Sequence, residues 1–197
     1  MIFFKKKINN YLLLLFFFLL IISLLIFKDF GISIDEPSTR THGLVSFNYI
    51  ISILNNLSFF NFIETKDLPQ LHEYVFRDYG VFFEIILISV EKIFKLENFS
   101  EIFYLRHFIT NLFFIFSTLI FAKIIFKITK DLNFSLFGCI ILYTTPRIFA
   151  NSFYNNKDLI FLSFFIFSIY FILTFFKKKN LKNLILATLS ISILTSI

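Results

Sequence analysis

Residues 81–94 read Val81-Phe82-Phe83-Glu84-Ile85-Ile86-Leu87-Ile88-Ser89-Val90-Glu91-Lys92-Ile93-Phe94, and the fold turns on whether this run crosses a bilayer. It is apolar, but it falls short of the ~20 residues that a spanning helix needs, and it carries three charges. Charge elsewhere in the chain decides. With 81–94 kept out of the bilayer, Lys5–Lys7, Lys123/Lys127/Lys130 and Lys177–Lys179/Lys182 all fall on one face, which the positive-inside bias makes cytoplasmic. That face then holds ten lysines and one acid, Asp131, while the other holds nine basic residues and twelve acids. Were 81–94 a span, the second and third clusters would move outside. The run is therefore read as a helix lying at the outer interface or packed against the bundle.

Outward from that decision, the spans follow. The chain is 57% hydrophobic with a mean hydropathy of +0.81, which marks an integral membrane protein. The expectation is an all-α bundle with spans near 9–27, 108–126, 132–147 and 158–176, an incomplete fifth over 184–197, and a long extracytoplasmic loop over 28–107. Lys28-Asp29-Phe30-Gly31 offers no small-x-small cleavage pattern, so the first run is read as an uncleaved span with its N-terminus in the cytoplasm. The basic excess sits beside apolar runs, as membrane flanks do, and gives no reason to expect nucleic acid. The single cysteine, Cys139, excludes an intrachain disulfide. His42, His72 and His107 show no metal-ligand spacing, and four glycines leave no phosphate loop.

Polar residues gather on the outer face in four places. The first is Ile34-Asp35-Glu36-Pro37-Ser38-Thr39-Arg40, just past the first span. Asp35 or Glu36 can cap a helix with Pro37 in its first turn, and Glu36 can pair with Arg40 four residues on. Leu44, Phe47, Ile50, Ile51 and Leu54 continue that helix as an apolar stripe ending near Asn55-Asn56. Capping uses one carboxylate, and a second at a membrane surface invites a general base. The others are 72–80 with Arg77 and Asp78, Tyr104-Leu105-Arg106-His107 at the entrance of the second span, and 144–158 with Arg147, Asn155, Lys157 and Asp158. Arg and Lys at headgroup level can hold a lipid phosphate, and they can equally snorkel to headgroups. All four arginines fall on this outer face.

Laid out this way, the chain resembles the N-terminal part of a GT-C-type glycosyltransferase of the family 39 group, which includes protein O-mannosyltransferases and lipid A aminoarabinose transferases. The likeness rests on Asp35-Glu36 after the first span, on "YLRHFITNLFF" from Tyr104, and on "TTPRIFANSFYNNKDLIFLSFF" from Thr144. It implies transfer of a sugar from a polyprenyl-phosphate donor to an acceptor glycan, lipid or protein outside a bacterial plasma membrane. Asp35 would be the base and Glu36 an orienting group. Arg77, Arg106, Arg147 and Lys157 would stabilise the leaving phosphate, with Asp78, His107, Asn155 and Asp158 as further substrate contacts. No cofactor is fixed by the resemblance, and a divalent metal stays open. The aminoarabinose branch has Glu-Lys-Pro where this chain has Arg77-Asp78-Tyr79-Gly80, a departure that puts that branch's metal and phosphate roles at this stretch in doubt. Family members are far longer, and the chain ends inside an apolar run, so a fragment or truncated product is expected. A lipid-linked-sugar flippase component or a non-catalytic membrane protein is the alternative. A flippase would favour ionisable groups deep in its spans, and these spans have almost none.

Overall fold

The structure, a computed structural model, describes residues 2–56 and 68–197, with side chains from Asn9 to Asn55 and from Leu68 onward. The Lys5–Lys7 side chains and residues 57–67 of the outer loop lie outside the described residues. Among the described residues eight α-helices follow in order: α1 (Ile2–Ile26), α2 (Glu36–Asn56), α3 (Phe82–Ile93), α4 (Phe99–Thr129), α5 (Leu132–Thr144), α6 (Pro146–Tyr154), α7 (Asp158–Lys177) and α8 (Leu181–Leu194). The fold is all-α, as expected. Three helices, α1, α4 and α7, are long and apolar enough to cross a membrane, and α5 with α6 makes a fourth candidate bent by 63°.

α4 is the central post, packing against α1, α3, α5, α6 and α7. Its 31 residues give it a length of about 46 Å, more than the ~30 Å thickness of a hydrocarbon core. The helix that carries the span expected from Phe108 starts nine residues earlier, because Asn98 caps it by accepting from the Ser100 N–H at 2.9 Å. Arg106 and His107 are consequently inside a helix rather than at its entrance. At the far end Lys130 takes a left-handed conformation (φ 59°). Asp131 then caps α5 by accepting from the N–H groups of Asn133 and Phe134 at 2.7 and 3.1 Å.

α1 buries a narrow seam, Leu12, Leu19 and Ser23, and leaves much of its apolar surface outward, as a lipid-facing helix does. Phe114, Ile115 and Tyr143 close around Leu19 in one cluster, and Cys139 sits in another with Leu12 and Ala122. Between the spans, short polar side chains bond across: the Ser135 hydroxyl to the Ala122 carbonyl at 2.6 Å, Ser163 to Ser117 at 3.1 Å, and the Asn111 amide to Ser152 at 2.6 Å.

The 81–94 run forms α3, whose 12 residues are fewer than a spanning helix needs. Phe83 and Leu87 pack with Ile160 and Phe164 of α7. α2 lies against α3, and Gly43 makes the approach close: a Cβ there would sit 2.9 Å from the Glu84 Cβ. The expected stripe on α2 is buried at Leu44 and Ile51, while Ile50 is exposed. Gly43 and Arg40 are the residues of α2 that meet α3, and His42, Val45 and Ser46 are buried as well. The 144–158 connection is not a plain loop, since most of it is α6, opened by Pro146 at a position where a missing N–H costs nothing. α8 begins at Leu181, three residues before the expected start, with Asn180 as its cap.

Candidate functional site

The two glutamates that made α3 awkward are its anchors. Glu84 and Glu91 are seven residues apart, two turns, and both are buried. Arg106 lies between them, 1% exposed, with its NH1 donating to Glu91 Oε1 at 2.8 Å and its NH2 to Glu84 Oε2 at 2.5 Å. Arg40 of α2 closes on the same Glu91 through Nε at 3.0 Å and NH2 at 2.9 Å. Glu84 also accepts from the Asn156 amide at 2.5 Å. Two cations and two carboxylates thus balance, and they tie α2, α3, α4 and the turn before α7 into one body. Such a set tolerates burial because each charge keeps a partner.

Arg40 therefore pairs with Glu91 and not with Glu36 as expected. An exposed i,i+4 pair is worth only a few tenths of a kcal/mol and loses to a buried fork. Glu36 turns inward instead, 2% exposed. Its Oε1 meets His107 Nε2 at 2.8 Å, and its Oε2 accepts the Ser33 N–H at 2.7 Å. That second bond is the backward half of a capping box, so Glu36 both starts α2 and docks it on α4. Asp35, its neighbour, is exposed, and among the described residues its carboxylate makes no hydrogen bond.

Between these elements opens a cavity of about 470 Å³, lined among others by Asp35, His42, Tyr79, Asn155, Lys157 and Asp158. Glu36 and Glu84 reach its wall as well. The Asn155-Asn156-Lys157-Asp158 stretch has a division of labour. Asn155 and Asp158 clasp each other, the Asp158 N–H donating to Asn155 Oδ1 at 2.9 Å and the Asn155 amide to Asp158 Oδ2 at 3.0 Å. Asn156 is held by Glu84. Lys157, exposed, extends over the face of the Tyr79 ring, 4.2 Å from its centroid. Burial, and then the Lys157 charge, hold the His42 imidazole below its usual range.

Of the residues expected to form a site, Asp35, Glu36, Asn155, Lys157 and Asp158 come together at the cavity, and His107 stands one contact behind it. Arg106 is brought near but commits both terminal nitrogens to carboxylates; its Nε has no partner but is buried, and Arg106 is not part of the cavity wall. Arg147 is exposed and is not part of the cavity wall, and Arg77 pairs with Asp78 at 3.8 Å away from it. The residues not anticipated are His42, Tyr79, Glu84, Glu91 and Asn156. A signal for the glutamates was present, since Phe83, Glu84, Leu87, Ile88 and Glu91 share one helical face. Among the described residues no three His, Cys, Asp or Glu side chains stand in a metal-binding arrangement.

No curated protein and no solved structure matches the chain. A family model described as dolichyl-phosphate-mannose-protein mannosyltransferase matches residues 94–195. The matched region runs from the end of α3 through α8, so it contains Arg106, His107 and the whole of 144–158, while Asp35, Glu36 and His42 precede it. On that match the chain belongs to the dolichyl-phosphate-mannose-protein mannosyltransferase family of membrane glycosyltransferases.

Proposed function

We propose that the cavity takes the phosphate and sugar of a polyprenyl-phosphate-linked donor together with an acceptor hydroxyl at the extracytoplasmic face, with Asp35 as the general base. The observation carrying this reading is that one cavity is lined by Asp35 from the first loop and by Lys157 from the turn before α7. In the transfer, the acceptor oxygen attacks the anomeric carbon and its proton passes to Asp35. The bond from that carbon to the phosphate oxygen breaks, and the phosphate leaves with the electron pair. Lys157 offsets the charge that develops there. Glu36 is a poor base, because both of its oxygens are engaged, and it serves as a positioning residue that fixes the start of α2. Arg106 holds α3, and through Glu84 it holds Asn156 beside Lys157. The lysine-rich ends at 123–130 and 177–182 support a cytoplasmic N-terminus and an outward-facing cavity.

The test is sugar transfer from a lipid-phosphate donor in membranes carrying the protein. Asp35→Asn keeps the shape and the capping capacity but loses the proton acceptor, so turnover should fall about 10²–10⁴-fold. Lys157→Met should raise the KM for donor. Wild-type turnover in the Asp35→Asn variant would remove the base assignment.

A further inference from the structure

The cavity wall holds one group that this reading leaves unused. His42 lies on α2, is 6% exposed, and lines the cavity. Its Nε2 has no hydrogen-bond partner and is shut off from solvent. Buried polar atoms are nearly always bonded, so an exception of this kind needs a physical reason.

The neighbours narrow that reason. The Tyr74 ring lies 5.7 Å from the imidazole and the Tyr79 ring 6.5 Å, nearly perpendicular to it. On the other elements packed here, the charged groups are mostly spoken for. Glu84 is bonded to Arg106 and Asn156, Glu36 to His107, Arg40 to Glu91, and Asp158 to Asn155. Asp35 is the open carboxylate of the cavity. Lys157 is its open cation: among the described residues it pairs with no carboxylate, and it lies against the far neighbour of His42, the Tyr79 ring. Burial pushes the Tyr74 hydroxyl up, so that group stays neutral.

We propose that His42 Nε2 hydrogen-bonds an oxygen of the phosphodiester held by Lys157, becoming accessible when the exposed Tyr79 ring turns aside. This rests on the lipid-phosphate reading above and adds a second phosphate-contacting residue to it. In the empty cavity the imidazole is neutral, because burial and the Lys157 charge both disfavour its protonation. An anion beside Lys157 cancels the second of these effects. The anion's own charge, hydrogen-bonded to Nε2, acts against the larger effect of burial, so binding raises the proton affinity of the imidazole and favours Nε2 as a charge-assisted donor.

The probe is methyl farnesyl phosphate, a diester whose single charge does not titrate in the imidazole range. Its affinity for the full chain in detergent micelles is measured by calorimetry between about pH 5 and pH 8. Wild-type affinity should rise as pH falls. His42→Gln retains a donor near the Nε2 position, so it should bind comparably at high pH with a flat profile. His42→Phe should bind about ten- to a hundred-fold more weakly than wild type at low pH. Should His42→Phe fail to fold, the flat profile of His42→Gln decides. Equal binding by wild type and His42→Phe, or a pH slope retained in His42→Gln, would overturn the inference and leave the donor reading standing. Absence of binding to the wild-type chain would remove both.

Discussion

Replacing Arg106 with methionine should be among the most damaging single changes outside the apolar core. The guanidinium is 1% exposed and makes two short bonds, to Glu91 at 2.8 Å and to Glu84 at 2.5 Å. Glu91 would retain Arg40, and Glu84 would retain only the Asn156 amide. One carboxylate is then left buried without a cation, and breaking a buried pair from one side costs about 3–5 kcal/mol. Adding Glu84→Gln to the Arg106→Met background removes the stranded charge, so the double variant should recover much of that loss. The coupling between the two positions should be about 2–3 kcal/mol. Arg106→Lys should fall between, since a single ammonium cannot fork to two carboxylates two turns apart. The assay is unfolding in mixed detergent micelles, followed by loss of helical circular dichroism, across the full double-mutant cycle. A cost below about 1 kcal/mol for Arg106→Met, the range of a solvent-exposed pair, would refute the account of α3 as ion-pair-anchored.

Two further outcomes follow from the same geometry. Gly43→Ala places a Cβ 2.9 Å from the Glu84 Cβ and 3.2 Å from Ile88 Cγ1. The nearer atom moves only with the α3 backbone, so a loss of about 1–3 kcal/mol is expected despite the better helix propensity of alanine, with transfer falling as Asn156 loses its register. The second outcome concerns pH. His42 has a folded pKa lowered from 6.5, so just below that value the unfolded chain binds a proton that the folded chain does not. Stability should therefore fall as pH drops through 6.5 toward the folded pKa, with no His42 contribution above. His42→Gln should remove that part of the slope in pH-dependent thermal melts, and an unchanged slope would refute the assignment.

The all-α class and the main spans were legible because apolar length is a local property: 11–27, 108–126 and 159–176 each declare themselves without reference to any partner. Placing 81–94 outside the set of spans needed only the summed lysine positions, which is a property of the whole chain but still a linear one. Local capping was legible at the start of α2, where Glu36 accepts the Ser33 N–H, while the caps at Asn98 and Asp131, equally local, were not anticipated. What the sequence could not yield was pairing across elements. Glu36 has Arg40 one turn away, yet it bonds His107, 71 residues on. Linear proximity offered the weaker partner, and only the packing of α2 onto α4 supplies the stronger one. Arg106 misled in the same sense. An arginine at a membrane surface fits a lipid phosphate or a carboxylate equally well, and the choice depends on what α3 presents to it.

The pattern on α3 shows how such a residue can be read better. A helix that merely rests on a membrane surface turns its acids to water. Here Glu84 and Glu91 share the face of Phe83, Leu87 and Ile88, all buried. Carboxylates at that spacing on an apolar face require cations from elsewhere in the chain, because desolvated charge persists only when matched. The requirement favours arginine, whose planar fork can serve two acceptors at once. Four arginines exist in the chain, so the sequence confines the partners to a short set even though it cannot choose among them. Arg40 and Arg106 fill the role, and among the described residues of the cavity wall Lys157 is the cation that pairs with no carboxylate, which is why the proposed reading gives it the phosphate. The division fits the proposed reading: the planar forks lock the scaffold, and the exposed ammonium is left at the cavity where that reading places the donor phosphate.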